Sequence, residues 1–131
     1  DRNYPIVLCP RIPLYFDFVQ HESHQVGRRW AGAYCELEGV YQFNAEQYAG
    51  DRTQQVLGVQ ANLWTEHIKT LERLDFMTFP RISALAEAAW GTNTDFSDYQ
   101  ERLGDHLTLY REHGIYYFNP FSPEEFVEPV E

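Results

Sequence analysis

One stretch limits the possible folds of this chain more than any other: Val56-Leu57-Gly58-Val59-Gln60-Ala61-Asn62-Leu63-Trp64-Thr65-Glu66. Its first half is a short apolar run with β-branched residues and a glycine, entered from the polar Gly50-Asp51-Arg52-Thr53-Gln54-Gln55. So short a run predicts a buried strand of a parallel sheet over 56–61 rather than a helix. Its second half sets an amide, an indole and a carboxylate just past the strand, where β/α proteins collect ligand-contacting side chains. A helix is expected to start near Thr65 or Thr70 and to lead into an apolar stripe of Ile82, Leu85, Ala86 and Ala89. The stretch therefore predicts a βα unit with its working end exposed.

A similar unit precedes it. Tyr4-Pro5-Ile6-Val7-Leu8-Cys9-Pro10 predicts a strand closed by proline, followed by Arg11-Ile12-Pro13-Leu14-Tyr15-Phe16-Asp17-Phe18 as a rim loop. Pro10 and Pro13 argue against a helix there and favour extended backbone before them. Residues two apart point the same way in an extended chain, so Tyr15 and Asp17 are expected to face one cleft while Phe16 and Phe18 pack behind.

Composition narrows the function. Ten Lys+Arg against 20 Asp+Glu give a formal charge of −10, with no basic stripe, which argues against nucleic acid and anionic membranes as partners. No run approaches a transmembrane length, and the first residues do not form a signal peptide. Compartment is not written in these residues. Aromatics make up 16% of the chain, including Trp30, Trp64 and Trp90, which suits either a sugar-binding cleft or an ordinary core. Cys9 and Cys35 are too few for a disulfide framework and are expected as two separate buried thiols. His21-Glu22-Ser23-His24 holds ligand-type residues, but nothing supplies further ligands at a diagnostic spacing, so a polar loop is expected and no metal. No cofactor is called for.

The words "GVQANLWTEHIKT" and "DFMTFPRISALAEAAW" resemble the last βα unit of family 20 glycoside hydrolases, the retaining β-N-acetylhexosaminidases. "PRIPLYFDFVQ" and "RRWAGAY" resemble the unit before it, and the likeness runs over roughly residues 4–120. The resemblance implies an α/β fold, the C-terminal fragment of a TIM (β/α)₈ barrel comprising about its last two βα units. A whole barrel needs about 250 residues. Residues 1–120 would be the barrel portion and 121–131 an acidic, poorly ordered tail.

The resemblance also implies roles. Trp64 lines the pocket for the terminal sugar, and Glu66 accepts hydrogen bonds from its distal hydroxyls. Tyr15 bonds the substrate's acetamido oxygen, the internal nucleophile of this substrate-assisted chemistry, and Asp17 helps to hold the sugar hydroxyls. Trp30 matches a rim tryptophan. The partners implied are glycans containing N-acetylglucosamine or N-acetylgalactosamine, and a periplasmic or secreted setting is compatible with the family. The family's adjacent Asp-Glu acid/base pair is absent from these 131 residues. The chain alone is therefore expected to be inactive. The alternative is a carbohydrate-binding or purely structural module without catalysis.

The remaining expectations are local. Residues 19–43 have no firm period, and Asn44 is a candidate N-cap for a short helix. Pro80 either kinks one helix or opens a new one, and Glu87 is a candidate partner for Arg81. Ser97-Asp98-Tyr99-Gln100 reads as a capping box, Tyr99, Leu103, Leu107 and Tyr110 as a buried face, and Gly114 as the helix stop. Two parallel strands with open edges predict self-association of the chain through Val7, Leu57 and Val59.

Overall fold

The computed structural model describes residues 3–92 and 94–129, so Val130 and Glu131 of the acidic tail lie outside the described residues. Two strands, β1 (Ile6–Leu8) and β2 (Val56–Val59), pair in parallel, with Val7 opposite Gly58 and Leu8 opposite Val59. A parallel pair needs a crossover. Here it passes through a single turn, α1 (Arg11–Leu14), and two short helices, α2 (Leu37–Tyr41) and α3 (Ala45–Ala49). After β2 come α4 (Leu71–Thr78), α5 (Arg81–Trp90) and α6 (Phe96–Glu112). The chain is α/β, with α2 lying against α5.

At α1 the prolines exclude a helix only in part. Leu14 N–H and Tyr15 N–H close a helical turn on the carbonyls of Pro10 and Arg11, while Ile12 inside it keeps extended dihedrals. Beyond it, Phe18 N–H donates to Tyr15 C=O at 3.2 Å, so residues 15–18 form a β-turn rather than an extended segment. The alternation expected for Tyr15 and Asp17 is thereby lost, although Phe16 and Phe18 are buried in the main core as expected.

Helix boundaries follow local chemistry. The Asn44 side chain accepts from Glu46 N–H at 2.8 Å and caps α3, as its position suggests. Thr70 caps α4 through Arg73 N–H. Phe79 is extended and Pro80 takes the N-cap position of α5, so the alternative in which a new helix starts is the one adopted. The expected capping box of α6 is displaced: Asp95, not Ser97, accepts from Ser97 and Asp98 N–H groups. Ser97 then lies within the first turn. At the other end Gly114, at φ +69, allows Gly114 N–H to reach Arg111 C=O and Ile115 N–H to reach Tyr110 C=O, a Schellman stop.

Tyr99, Leu103, Leu107 and Tyr110 are all buried, so the face of α6 is as its spacing indicates. They join Leu14, Phe16, Val40 and Leu85 in the main cluster, and a smaller cluster gathers Phe76, Met77 and Phe118. Glu87 does not pair with Arg81. It forms a two-pronged bridge with Arg102 at 2.5 and 3.0 Å, while Arg81 is wholly buried. Cys9 and Cys35 are both free thiols; Cys35 is buried, Cys9 only partly.

Where it is described, the tail lies back on the body. Phe126 lies 4.5 Å from the Tyr117 ring, and Tyr116 donates to the Val127 carbonyl. β2 is also less covered than a buried strand should be, since Leu57 stands 74% exposed.

Candidate sugar-binding site

The carboxyl ends of β1 and β2 are tied together by backbone. Asn62 N–H donates to Leu14 C=O at 2.8 Å and Phe16 N–H to Asn62 C=O at 2.6 Å, which pairs Tyr15 with Asn62. The Asn62 amide also donates to Cys9 Sγ at 2.7 Å, so a side chain three residues past β2 ties the end of β1. Two loops thus leave one rim: the turn carrying Tyr15 and Asp17, and the segment carrying Trp64 and Glu66. A rim at the carboxyl ends of parallel strands is the usual site of ligand contact in β/α folds.

Arg28 joins the two loops. Its Nε lies 2.5 Å from Asp17 Oδ2 and its Nη2 2.6 Å from Glu66 Oε1. The first contact is off the N–H direction, so it is a charge contact, and both Asp17 oxygens keep unused acceptor capacity. The guanidinium also lies 4.6 Å from the centre of the Trp30 ring, which Arg11 approaches at 5.3 Å. Such cation–π contacts hold an indole in place.

Burial separates the two carboxylates. Asp17 is 1% exposed and Glu66 54%. Burial raises the Asp17 carboxyl above its ordinary value; its own backbone N–H and Arg28 oppose this without cancelling it, and Glu66 adds to it. Trp30 and Trp64 stand 50% and 54% exposed, well beyond what core filling requires. Tyr15 is half-buried at the same rim, and among the described residues its hydroxyl has no hydrogen-bond partner.

The structure therefore gathers Asp17, Trp30 and Glu66 around Arg28 and places Tyr15 and Trp64 on the same rim. Sequence reasoning passed over Arg28. Its signal was the spacing to Trp30, two residues on, in a chain with few cations. Exposed indoles and an exposed carboxylate suit a polyhydroxylated ring, whose C–H face stacks on indole and whose hydroxyls donate to a carboxylate at about 1.5–3 kcal/mol each. Elsewhere, among the described residues, no three His, Cys, Asp or Glu side chains stand together as metal ligands, and no helix is long and apolar enough to cross a membrane.

Comparison with known proteins points to one family. The profile of the glycosyl hydrolase family 20 catalytic domain matches residues 1–93. A β-hexosaminidase of Porphyromonas gingivalis is 36% identical over 130 residues, which is 95% of this chain and 16% of the relative. The family 20 β-N-acetylhexosaminidase of Streptomyces coelicolor A3(2) superposes with a TM-score of 0.80 at 32% identity, over 88% of this chain and 24% of that one. An exo-β-N-acetylglucosaminidase of Vibrio harveyi, solved with N-acetylglucosamine, gives 0.75 at 37% identity, over 87% and 19%. The chain thus spans about a sixth of the length of the curated relative and about a quarter or less of the solved ones. Its fold is that of part of a TIM-barrel-type domain. With the profile running through both strands and the rim between them, the chain belongs to glycoside hydrolase family 20.

Proposed function

We propose that this chain is the C-terminal part, about the last two βα units, of the (β/α)₈ catalytic domain of a retaining, substrate-assisted β-N-acetylhexosaminidase. The substrate class is glycans ending in N-acetylglucosamine or N-acetylgalactosamine. The observation that carries the reading is the Asp17–Arg28–Glu66 bridge, flanked by two exposed indoles at the carboxyl ends of parallel strands.

In this reading Trp64 stacks on the sugar's apolar face, Glu66 accepts from its distal hydroxyls, and Asp17, buried beside Arg28, helps to hold the sugar by fixing that guanidinium. Trp30 borders the rim. Tyr15 donates to the acetamido oxygen as that atom bonds to the anomeric carbon and the glycosidic C–O bond breaks. Its hydroxyl acts by position and by stabilising developing charge. The proton for the departing oxygen comes from a general acid outside these 131 residues, so the chain alone does not turn over substrate.

The test uses the full-length protein that carries this chain. Trp64→Ala and Glu66→Gln should each lower kcat/KM for a chromogenic N-acetylglucosaminide by at least about tenfold while melting normally. Tyr15→Phe should act mainly on kcat. Wild-type kinetics in folded Glu66→Gln and Trp64→Ala would refute the site, and a Tyr15 effect confined to KM would reduce that residue to plain binding.

A further inference from the structure

The C-terminal segment crosses back over the loop that carries Arg28. Glu128 is the point of attachment. Its Oε2 accepts Gln25 N–H at 2.5 Å, and its Oε1 accepts Val26 N–H at 2.9 Å and Arg73 Nη1 at 2.6 Å. Arg73, on α4, is buried and also donates to the Pro129 carbonyl. Burial pushes the Glu128 carboxyl up, but the N–H of Gln25, the Arg73 guanidinium and the N–H of Val26 together outweigh it and hold the group below its ordinary value. A groove of about 720 Å³ separates the rest of the strap from the loop, lined among others by His21, His24 and Phe126. Glu128 and its neighbours close it where loop and strap meet.

The next residue, Gly27, sits at φ +137, and a Cβ there would come within 2.8 Å of Val19 Cγ1 and 3.2 Å of the Asp17 carbonyl. Only glycine lets the chain pass so close. Arg28 follows, with its N–H on the Asp17 carbonyl at 2.8 Å and its own carbonyl accepting Val19 N–H at 3.2 Å. The loop is therefore pinned on both sides of Gly27: by Glu128 before it and by the 17–19 backbone after it.

We propose that Glu128 is a positioning residue for the sugar-binding wall. By tying Gln25 and Val26 to the buried Arg73, it sets the backbone from which Arg28 reaches both Asp17 and Glu66. Releasing the tie leaves Arg28 attached on one side only, and two short charge contacts from one guanidinium tolerate little displacement. The proposal rests on the reading of Glu66 as a sugar contact given above.

The experiment compares Glu128→Ala and Glu128→Gln in the full-length protein, with Glu66→Gln alongside. Glu128→Ala should raise KM for an aryl N-acetylglucosaminide by about tenfold with kcat within about twofold of wild type. Glu128→Gln keeps an oxygen for one N–H but loses the charge facing Arg73, and should fall between, with KM up by about threefold. Hydrogen exchange at Gln25 and Val26 should quicken in both variants while amides of β2 stay protected. A wild-type KM in either folded variant, with Glu66→Gln impaired, overturns the positioning role and leaves the strap a purely structural contact. If Glu128→Ala does not fold, Glu128→Gln decides by the same criterion. Wild-type kinetics in Glu66→Gln would instead remove the sugar-site reading on which the proposal stands.

Discussion

Arg81 occupies the first position of α5, and its buried guanidinium donates to the carbonyls of Phe16 at 2.6 Å, Phe18 at 2.8 Å, Cys35 at 3.1 Å and also Met77. It also lies 4.6 Å from the Phe16 ring. One side chain thus fixes the backbone of the turn that presents Tyr15 and Asp17, without reaching the rim itself. Breaking a buried charged network by removing one member costs about 3–5 kcal/mol, because the abandoned groups stay desolvated. Arg81→Met should therefore lower unfolding stability by that amount in denaturant titrations, with Arg81→Lys recovering only part of it, since an ammonium cannot span the same fork. A loss under about 1 kcal/mol would contradict the role. The sequence showed the arginine but not this use. Glu87, six residues along one helix, is on a different face from Arg81, and the real partners are carbonyls that a one-dimensional pattern cannot mark. Arg28 was missed for a related reason: its partners Asp17 and Glu66 lie 11 and 38 residues away and meet only once the strands pair.

At the scale of elements, periodic segments were legible and their ends less so. The face of α6 repeats every three or four residues over 17 residues, enough to override local ambiguity. Its start was ambiguous because Asp95 and Ser97 are both good caps, and the earlier one took the helix. The turn at 15–18 was illegible because nothing local forbids extension there; the Asn62 backbone and Arg81 impose it. The loop 20–28 carries the chain's clearest pH response. His24 packs 4.5 Å from the Phe118 ring and 4.8 Å from Phe76, with neither ring nitrogen hydrogen-bonded among the described residues. Burial lowers its pKa to about 4, Glu128 opposes this, and His21, Arg81 and Arg73 add to it. Between the unfolded value of about 6.5 and about 4 the unfolded chain binds the extra proton, so stability is full above pH 6.5 and falls as pH drops through that window. The effect is of order 3 kcal/mol at most. His24→Leu should flatten the acid limb of melting temperature against pH between 6.5 and 4; an unchanged limb would mean that another group governs it. The Glu128 strap contributes with the same sign but in a lower window, near and below the ordinary glutamate value of about 4.3, because its folded pKa is depressed.

At the scale of the whole molecule, the two strands are only partly covered. Leu8 and Val59 pack against the main cluster, whereas Val7 and Leu57 stand 53% and 74% exposed. Val59, expected at an intermolecular surface, packs partly against the chain's own core, and the strand residues left most exposed are Val7 and Leu57. A strand pair with two free edges is a template for further pairing, and its exposed apolar side chains add a hydrophobic drive. In a closed barrel, neighbouring strands and the packed interior would cover both. The 131-residue chain on its own lacks that cover, so it should self-associate, most simply as a two-fold dimer that buries Val7 and Leu57 of each copy. Light scattering at micromolar concentration should give at least twice the 15.4 kDa monomer mass. Leu57→Lys should shift the population toward monomer, because it places a charge at the centre of the contact while leaving Leu8 and Val59 in their own core. A sharply melting wild-type monomer would defeat this expectation, and with it the view that these exposed side chains are built to be covered by neighbouring strands. A dimer indifferent to Leu57→Lys would place the contact elsewhere, with the exposed Trp90 at the end of α5 the next surface to test.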